Sequence, residues 1–132
     1  MSERSTLNVA EGVREALMKN DLLAARAAFD HASVLRVPGN SGLAGLYQGK
    51  DAILGLCERI SHLTDETLQF TPSRVIFEDD QAMVVYGREH GIRRGCELDT
   101  DSIHIVLLRG RRIAEVWVFH EHQDRVDEFW AT

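Results

Sequence analysis

The stretch Val37-Pro38-Gly39-Asn40-Ser41-Gly42-Leu43-Ala44-Gly45-Leu46-Tyr47-Gln48-Gly49-Lys50-Asp51-Ala52-Ile53 decides how this chain is read. Residues 37–49 hold four glycines and one proline, a density that lets the backbone take conformations ordinary residues resist. The segment lies far from either end and can wrap the mouth of a cavity. On its N-terminal side, residues 30–37 read as a strand stopped by Pro38. On its C-terminal side, Ile53, Cys57, Ile60 and Leu63/Thr64 recur at helical spacing and predict a helix of about four turns.

Upstream, Leu7, Ala10, Val13 and Leu17 mark one amphipathic helix. Asn20-Asp21 breaks it, and Asp21 is a suitable N-cap for a second short helix with Leu22, Ala25 and Phe29 on one face. Downstream the period changes. Residues 67–77 alternate imperfectly around Pro72, which fits an edge strand or a bulge. Glu78-Asp79-Asp80 is a turn, and residues 82–90, 97–108 and 112–122 follow as three strands. The tail, residues 123–130, reads as a last helical turn with Val126, Phe129 and Trp130 packing inward.

The totals bound the function. With 132 residues, 44% hydrophobic and 27% charged, the chain is one domain spanning residues 1–132, able to bury roughly two-thirds of its unfolded surface. A net charge of −6 argues against nucleic acid as a partner, because phosphate-backbone binders concentrate Lys and Arg. Arg109, Arg111 and Arg112 crowd one hairpin tip and read as a solvated turn. No apolar run approaches the roughly 20 residues a membrane span needs. Cys57 and Cys96 lie in no CxxC pattern and read as reduced thiols of a cytoplasmic protein.

Helices followed by successive antiparallel strands imply an α+β fold with the helices on one face of a twisted sheet. The last hairpin sorts its side chains by register. A three-residue loop closed by a 108–112 pair sets His104 opposite Val116 and Val106 opposite Ala114. Directly opposed residues point to the same side. One face then carries Thr100, Ser102, His104, Val106, Ala114, Val116, Val118 and His120. The other carries Ile103, Ile105, Leu107, Glu115, Trp117 and Phe119. Both are apolar, so both are expected to be covered. Three helices can cover only one, and the face with Ile103, Ile105, Trp117 and Phe119 suggests a homodimer interface.

The face with small residues and two histidines is the better candidate for a hollow. His104 and His120 are the leading catalytic candidates: an imidazole in a partly dry cavity can pass protons near neutral pH or orient a polar ligand. The plainer alternative has each histidine donating to a backbone carbonyl and closing the sheet. Val116 and Val118 would line the hollow. Tyr86 would offer it a phenol hydroxyl or pack in the core, and Tyr47 would touch a ligand or anchor the loop. His120-Glu121-His122 with His104 could in principle make a three-His metal site, but the reading preferred is one without metal or cofactor. Asp99 with Asp101, and Asp79 with Asp80, read as solvated charge.

The element order, the loop VPGNSGLAGLYQGKDAI and the hairpin HIVLLRGRRIAEVWVFHEH resemble the SnoaL-like branch of the nuclear transport factor 2-like superfamily, from about Leu7 to Trp130. That resemblance implies a cone-shaped, curved mixed sheet with three helices of the N-terminal half over its concave face. It implies a pocket for a small hydrophobic molecule and several possible chemistries. Compared with ketosteroid isomerase, His104 falls where that enzyme has the protonated aspartic acid of its oxyanion hole. Val37 falls where the isomerase has its carboxylate base, and valine cannot take a proton. Compared with limonene epoxide hydrolase, Arg88-Glu89-His90 is the nearest match to its Arg-x-Asp pair, with His where Asp is required. Glu121 or His120 stands near its second carboxylate. The resemblance therefore implies a pocket without the family's usual catalytic carboxylate. The alternative is an isomerase, cyclase or hydrolase for a polyketide- or steroid-like compound that uses His104 and His120.

Overall fold

The computed structural model describes residues 22–131; the helix expected around Leu7–Leu17 lies outside them. Helix α1 (Leu22–Ala28) runs directly into strand β1 (Phe29–Val37). After the Gly-rich loop come β2 (Gly45–Gln48) and helix α2 (Lys50–Leu63). Strands β3 (Gln69–Glu78), β4 (Ala82–Arg93), β5 (Cys96–Arg109) and β6 (Arg112–His120) follow, and helix α3 (Gln123–Trp130) ends the described chain. The result is α+β, with a six-stranded mixed sheet in the order β2-β1-β6-β5-β4-β3. Only the β1–β6 pair is parallel.

Three local expectations change. Phe29 opens β1 instead of closing a helical face, and there it is buried in the core, a tertiary gain that outweighs the helical pattern of the preceding residues. The Gly-rich stretch is not all loop, because Gly45–Gln48 forms an edge strand against Val34–Val37. The last hairpin closes one residue differently: Arg109 pairs with Arg112 around a two-residue turn. Gly110, at φ 60°, takes the first turn position, where the tight hairpin turns that match strand twist call for a positive φ.

That turn and the bulge that follows it each move the register by one, two residues in all. His104 faces Val118, not Val116, and Val106 faces Val116, not Ala114. A two-residue slip keeps every side chain on its own face, so the two sets derived from the sequence survive the error. Ala114 is the extra residue of a bulge between the Leu107–Glu115 and Leu108–Ile113 pairs. Pro72 sits on the edge strand β3, and the register shifts immediately after it.

The helices cover one face of the sheet. The main core joins Phe29, Ile53, Leu54, Met83, Val85, Val106 and Ile113. A second cluster, Leu98, Val126 and Phe129, seats α3 at the other end of β5. No helix among the described residues is long and apolar enough to cross a membrane.

Candidate functional site

The covered face changes character midway along β5. Val106 belongs to the main core and Leu98 to the second cluster, and between them the same face presents His104, Ser102 and Thr100. Glu89 of β4 stands opposite Thr100, and His120 of β6 stands opposite Ser102. Period-two alternation on three neighbouring antiparallel strands thus brings one carboxylate and two imidazoles together.

Glu89 Oε1 lies 3.1 Å from His120 Nε2, and Oε2 lies 3.4 Å from His104 Nε2. The side chains are 13%, 5% and 20% exposed for Glu89, His120 and His104. Phe70 of β3 stacks on the His104 ring, centroids 3.9 Å apart and planes 19° from parallel. Two glycines of β4 make room for the close approach of residues 68–71. A β-carbon on Gly87 would stand 2.4 Å from Thr71 O and 2.7 Å from Phe70 Cζ, and one on Gly91 would stand 2.8 Å from Leu68 Cδ1. Ser102 Oγ, buried on the same face, has no hydrogen-bond partner among the described residues.

The network continues outward. His120 Nδ1 lies 2.9 Å from Gln123 Oε1 of α3. Gln123 Nε2 donates to Asp127 Oδ1 at 3.0 Å and to Pro38 O at 3.3 Å. Asp127 Oδ1 also accepts from the Asn40 backbone N–H at 3.1 Å. The Gly-rich loop is therefore tied through α3 to His120, and through His120 to Glu89.

Burial alone would push the Glu89 carboxyl up, but hydrogen bonds from His104 and His120 and their positive charge outweigh it and hold the group at about 2. For His120, burial favours the neutral ring, yet the Glu89 carboxylate, aided by Gln123 and Asp127, raises its pKa above the ordinary value. Glu89 thus stays ionised at neutral pH. With Nε2–H of His104 directed at that carboxylate, a neutral His104 ring would carry its lone pair on Nδ1, and no hydrogen bond within the described residues engages Nδ1. A carboxylate-oriented imidazole with one free nitrogen is an arrangement suited to proton transfer.

His104 and His120 are brought together, and Val118 stands beside His104 on the same face. Val116 packs against the main core. Val37 ends β1 paired with Gly45. Tyr47 borders the core, with its hydroxyl donating to Leu43 O at 2.8 Å. Tyr86 does not join them. It pairs with Ile103 on the opposite face and donates its hydroxyl to Asp101 Oδ2 at 2.5 Å. Asp101 and Asp99 there both bind Arg88, at 2.9 and 2.7 Å, so this carboxylate pair is ion-paired rather than simply solvated. His122 lies beyond the end of β6 and is exposed. No group of three His, Cys, Asp or Glu among the described residues is placed to hold a metal ion.

Glu89, Gln123 and Phe70 are the members that sequence reasoning missed. The signal for Glu89 was present: it is the one acid in the alternating series Met83, Val85, Gly87, Glu89, Gly91, whose other members are apolar or glycine.

No protein-family profile matches the chain. Along 99% of its length it is 24% identical to the uncharacterized protein Rv0034 of Mycobacterium tuberculosis, matched over 100% of that protein. Among solved structures, Bal32a from a soil-derived mobile gene cassette superposes with a TM-score of 0.88 at 22% identity, covering 94% of this chain and 95% of that one. An NTF2-like protein of Burkholderia xenovorans gives 0.78 at 16% identity, covering 92% and 94%. TerC, solved with polyporic acid, gives 0.79 at 14% identity, covering 93% and 95%. With its six-stranded mixed sheet, its helices on one face and these neighbours, the chain has the nuclear transport factor 2-like fold.

Proposed function

We propose that this protein, read as a SnoaL-like member of its superfamily, binds a small hydrophobic molecule on the covered face of its sheet. It acts on that molecule by cofactor-independent acid–base chemistry, as an isomerase, cyclase or hydrolase would. His104 exchanges the proton through Nδ1, Glu89 orients His104, and His120 balances the charge of Glu89. The single observation that carries this reading is the Glu89 carboxylate bridging the two Nε2 atoms, with Phe70 stacked on His104. Apolar residues on both flanks suit a ring-bearing substrate with one enolisable or hydroxylated position. Val118, Val116, Val37 and Tyr47 are the remaining candidates to line its site. The crystallisation of TerC with polyporic acid supports including that compound in the search.

The test is a panel of hydrophobic carbonyl and phenolic compounds, followed by calorimetric binding and by turnover for the wild type, His104→Ala and Glu89→Gln. Binding retained with turnover lost in both variants supports the catalytic reading. Wild-type binding without any turnover leaves a ligand-binding module, and no binding by the wild type overturns the proposal. The proposed working state is a cytoplasmic homodimer formed through Ile103, Ile105, Trp117 and Phe119. Exposed Phe119 and two free cysteines, Cys57 and Cys96, are compatible with it.

A further inference from the structure

Each ring nitrogen of His120 faces an oxygen. Nε2 faces the Glu89 carboxylate and Nδ1 faces the Gln123 side-chain oxygen. The orientation of that amide is set by its other end, because Pro38 O and Asp127 Oδ1 can only accept, so Gln123 must turn its NH₂ to them and its oxygen to His120. A neutral imidazole has one N–H and would set a lone pair against one of the two acceptors. An imidazolium satisfies both.

The geometry points to Gln123 as a positioning residue that fixes His120 as the doubly protonated imidazolium, with the Pro38–Asn40 loop in turn fixing Gln123. A second, independent observation is the close seating of this loop on α3. A β-carbon at Gly39 would stand 2.2 Å from Asp127 Oδ1 and 2.3 Å from Gln123 Nε2, and Gly39 has φ 102°. The loop can reach the two α3 side chains only with glycine there. The charged and titratable groups facing His120 are Glu89 from β4 and Asp127 from α3, with His104 from β5 on the other oxygen of the same carboxylate. One carboxylate and an amide oxygen thus contact the ring, and the charge of Asp127 acts on it from behind Gln123. A His120 cation neutralises the charge of Glu89. The bearing of this on turnover rests on the function proposed above, whereas the protonation of His120 needs no substrate to be observed.

The experiment is ring-¹⁵N NMR of the full chain, titrated with pH, on the wild type and on Gln123→Met and Gln123→Glu. In the wild type both His120 nitrogens should carry protons at about pH 7. Gln123→Met removes the acceptor and should lower the His120 midpoint by about one pH unit or more. Gln123→Glu restores an acceptor and should keep the midpoint at or above the wild-type value. A wild-type His120 with a single N–H at about pH 7 overturns the assignment without any variant, even if Gln123→Met fails to fold. An unchanged midpoint in folded Gln123→Met overturns the role of Gln123. If the protonation pattern holds and no compound is ever turned over, the clasp stands and the catalytic proposal alone falls.

Discussion

Glu89 Oε1 and His120 Nε2 meet at 3.1 Å between two side chains that are 13% and 5% exposed, in the gap between the main core and the α3 cluster. A polar pair costs more to place there than an apolar one of equal volume. Its geometry nevertheless engages both carboxylate oxygens and both nitrogens of His120, and that satisfaction is what makes the buried charge tolerable. Removing one partner is therefore the informative perturbation.

Glu89→Gln keeps the shape and deletes the charge. It should destabilise the protein by about 3 kcal/mol, the usual scale for breaking a buried ion pair. With the carboxylate gone, burial acts on His120 against Gln123 and Asp127 alone, and its midpoint should fall from the wild-type value. Urea unfolding and a histidine titration of the same variant read both effects, and a variant as stable as the wild type would show that the pair contributes nothing.

Stability should depend on pH with two arms. Glu89 titrates near 4.5 when unfolded and at about 2 when folded, so its contribution is complete above 4.5 and is lost as pH falls toward 2. His120 is raised above its unfolded 6.5, so its contribution is complete below 6.5 and is lost as pH rises through the folded value. Unfolding free energy should peak at about pH 4.5–6.5, and Glu89→Gln should flatten both arms. A monotonic rise through that window in the wild type would contradict the linkage.

Much of this was legible beforehand because parity is robust. The wrong hairpin register still placed His104 and His120 on the covered face, since the error was an even number of residues. Glu89 stands out only when the two faces of the strand over residues 82–90 are sorted, which the strand pattern alone does not require. Tyr86 was misplaced for the same reason, one position out of phase with Val85 and Gly87. Gln123 was beyond reach, because the contact between α3 and the loop joins residues 85 apart and has no local signature. The strand Gly45–Gln48 was hidden by the glycines on either side of it, which signal turns more strongly than its short apolar content signals pairing.

Gly39 and Gly42 look alike in the sequence and should behave differently. At Gly39 an alanine would both collide with Gln123 and Asp127 and carry φ 102°. Gly39→Ala should cost about 1–3 kcal/mol and lower the His120 midpoint through Gln123. At Gly42 a β-carbon meets nothing within 4 Å and φ lies outside the left-handed range, so Gly42→Ala should stay within about 0.5 kcal/mol of the wild type. Thermal unfolding of the two variants side by side decides it, and equal effects would dissociate the loop from the site.

The face of the sheet that no described helix covers supplies the last prediction. Ile103 pairs with Phe119 and Ile105 with Trp117, the Trp117 and Phe119 rings stack 6.4 Å apart, and Phe119 is 46% exposed. Arg36 lies 4.9 Å over Trp117 on one side, and Tyr86, Asp101 and Arg88 form a hydrogen-bonded group on the other. An apolar centre with a polar border is the anatomy of a protein–protein contact. The proposed dimer should sediment as such in the wild type. Phe119→Glu should shift it to monomer with little change in unfolding midpoint, because an exposed ring contributes little to the fold of one chain and its replacement by a carboxylate would be buried unpaired only in the dimer. A wild-type chain that sediments as a monomer at the same concentration would remove the interface.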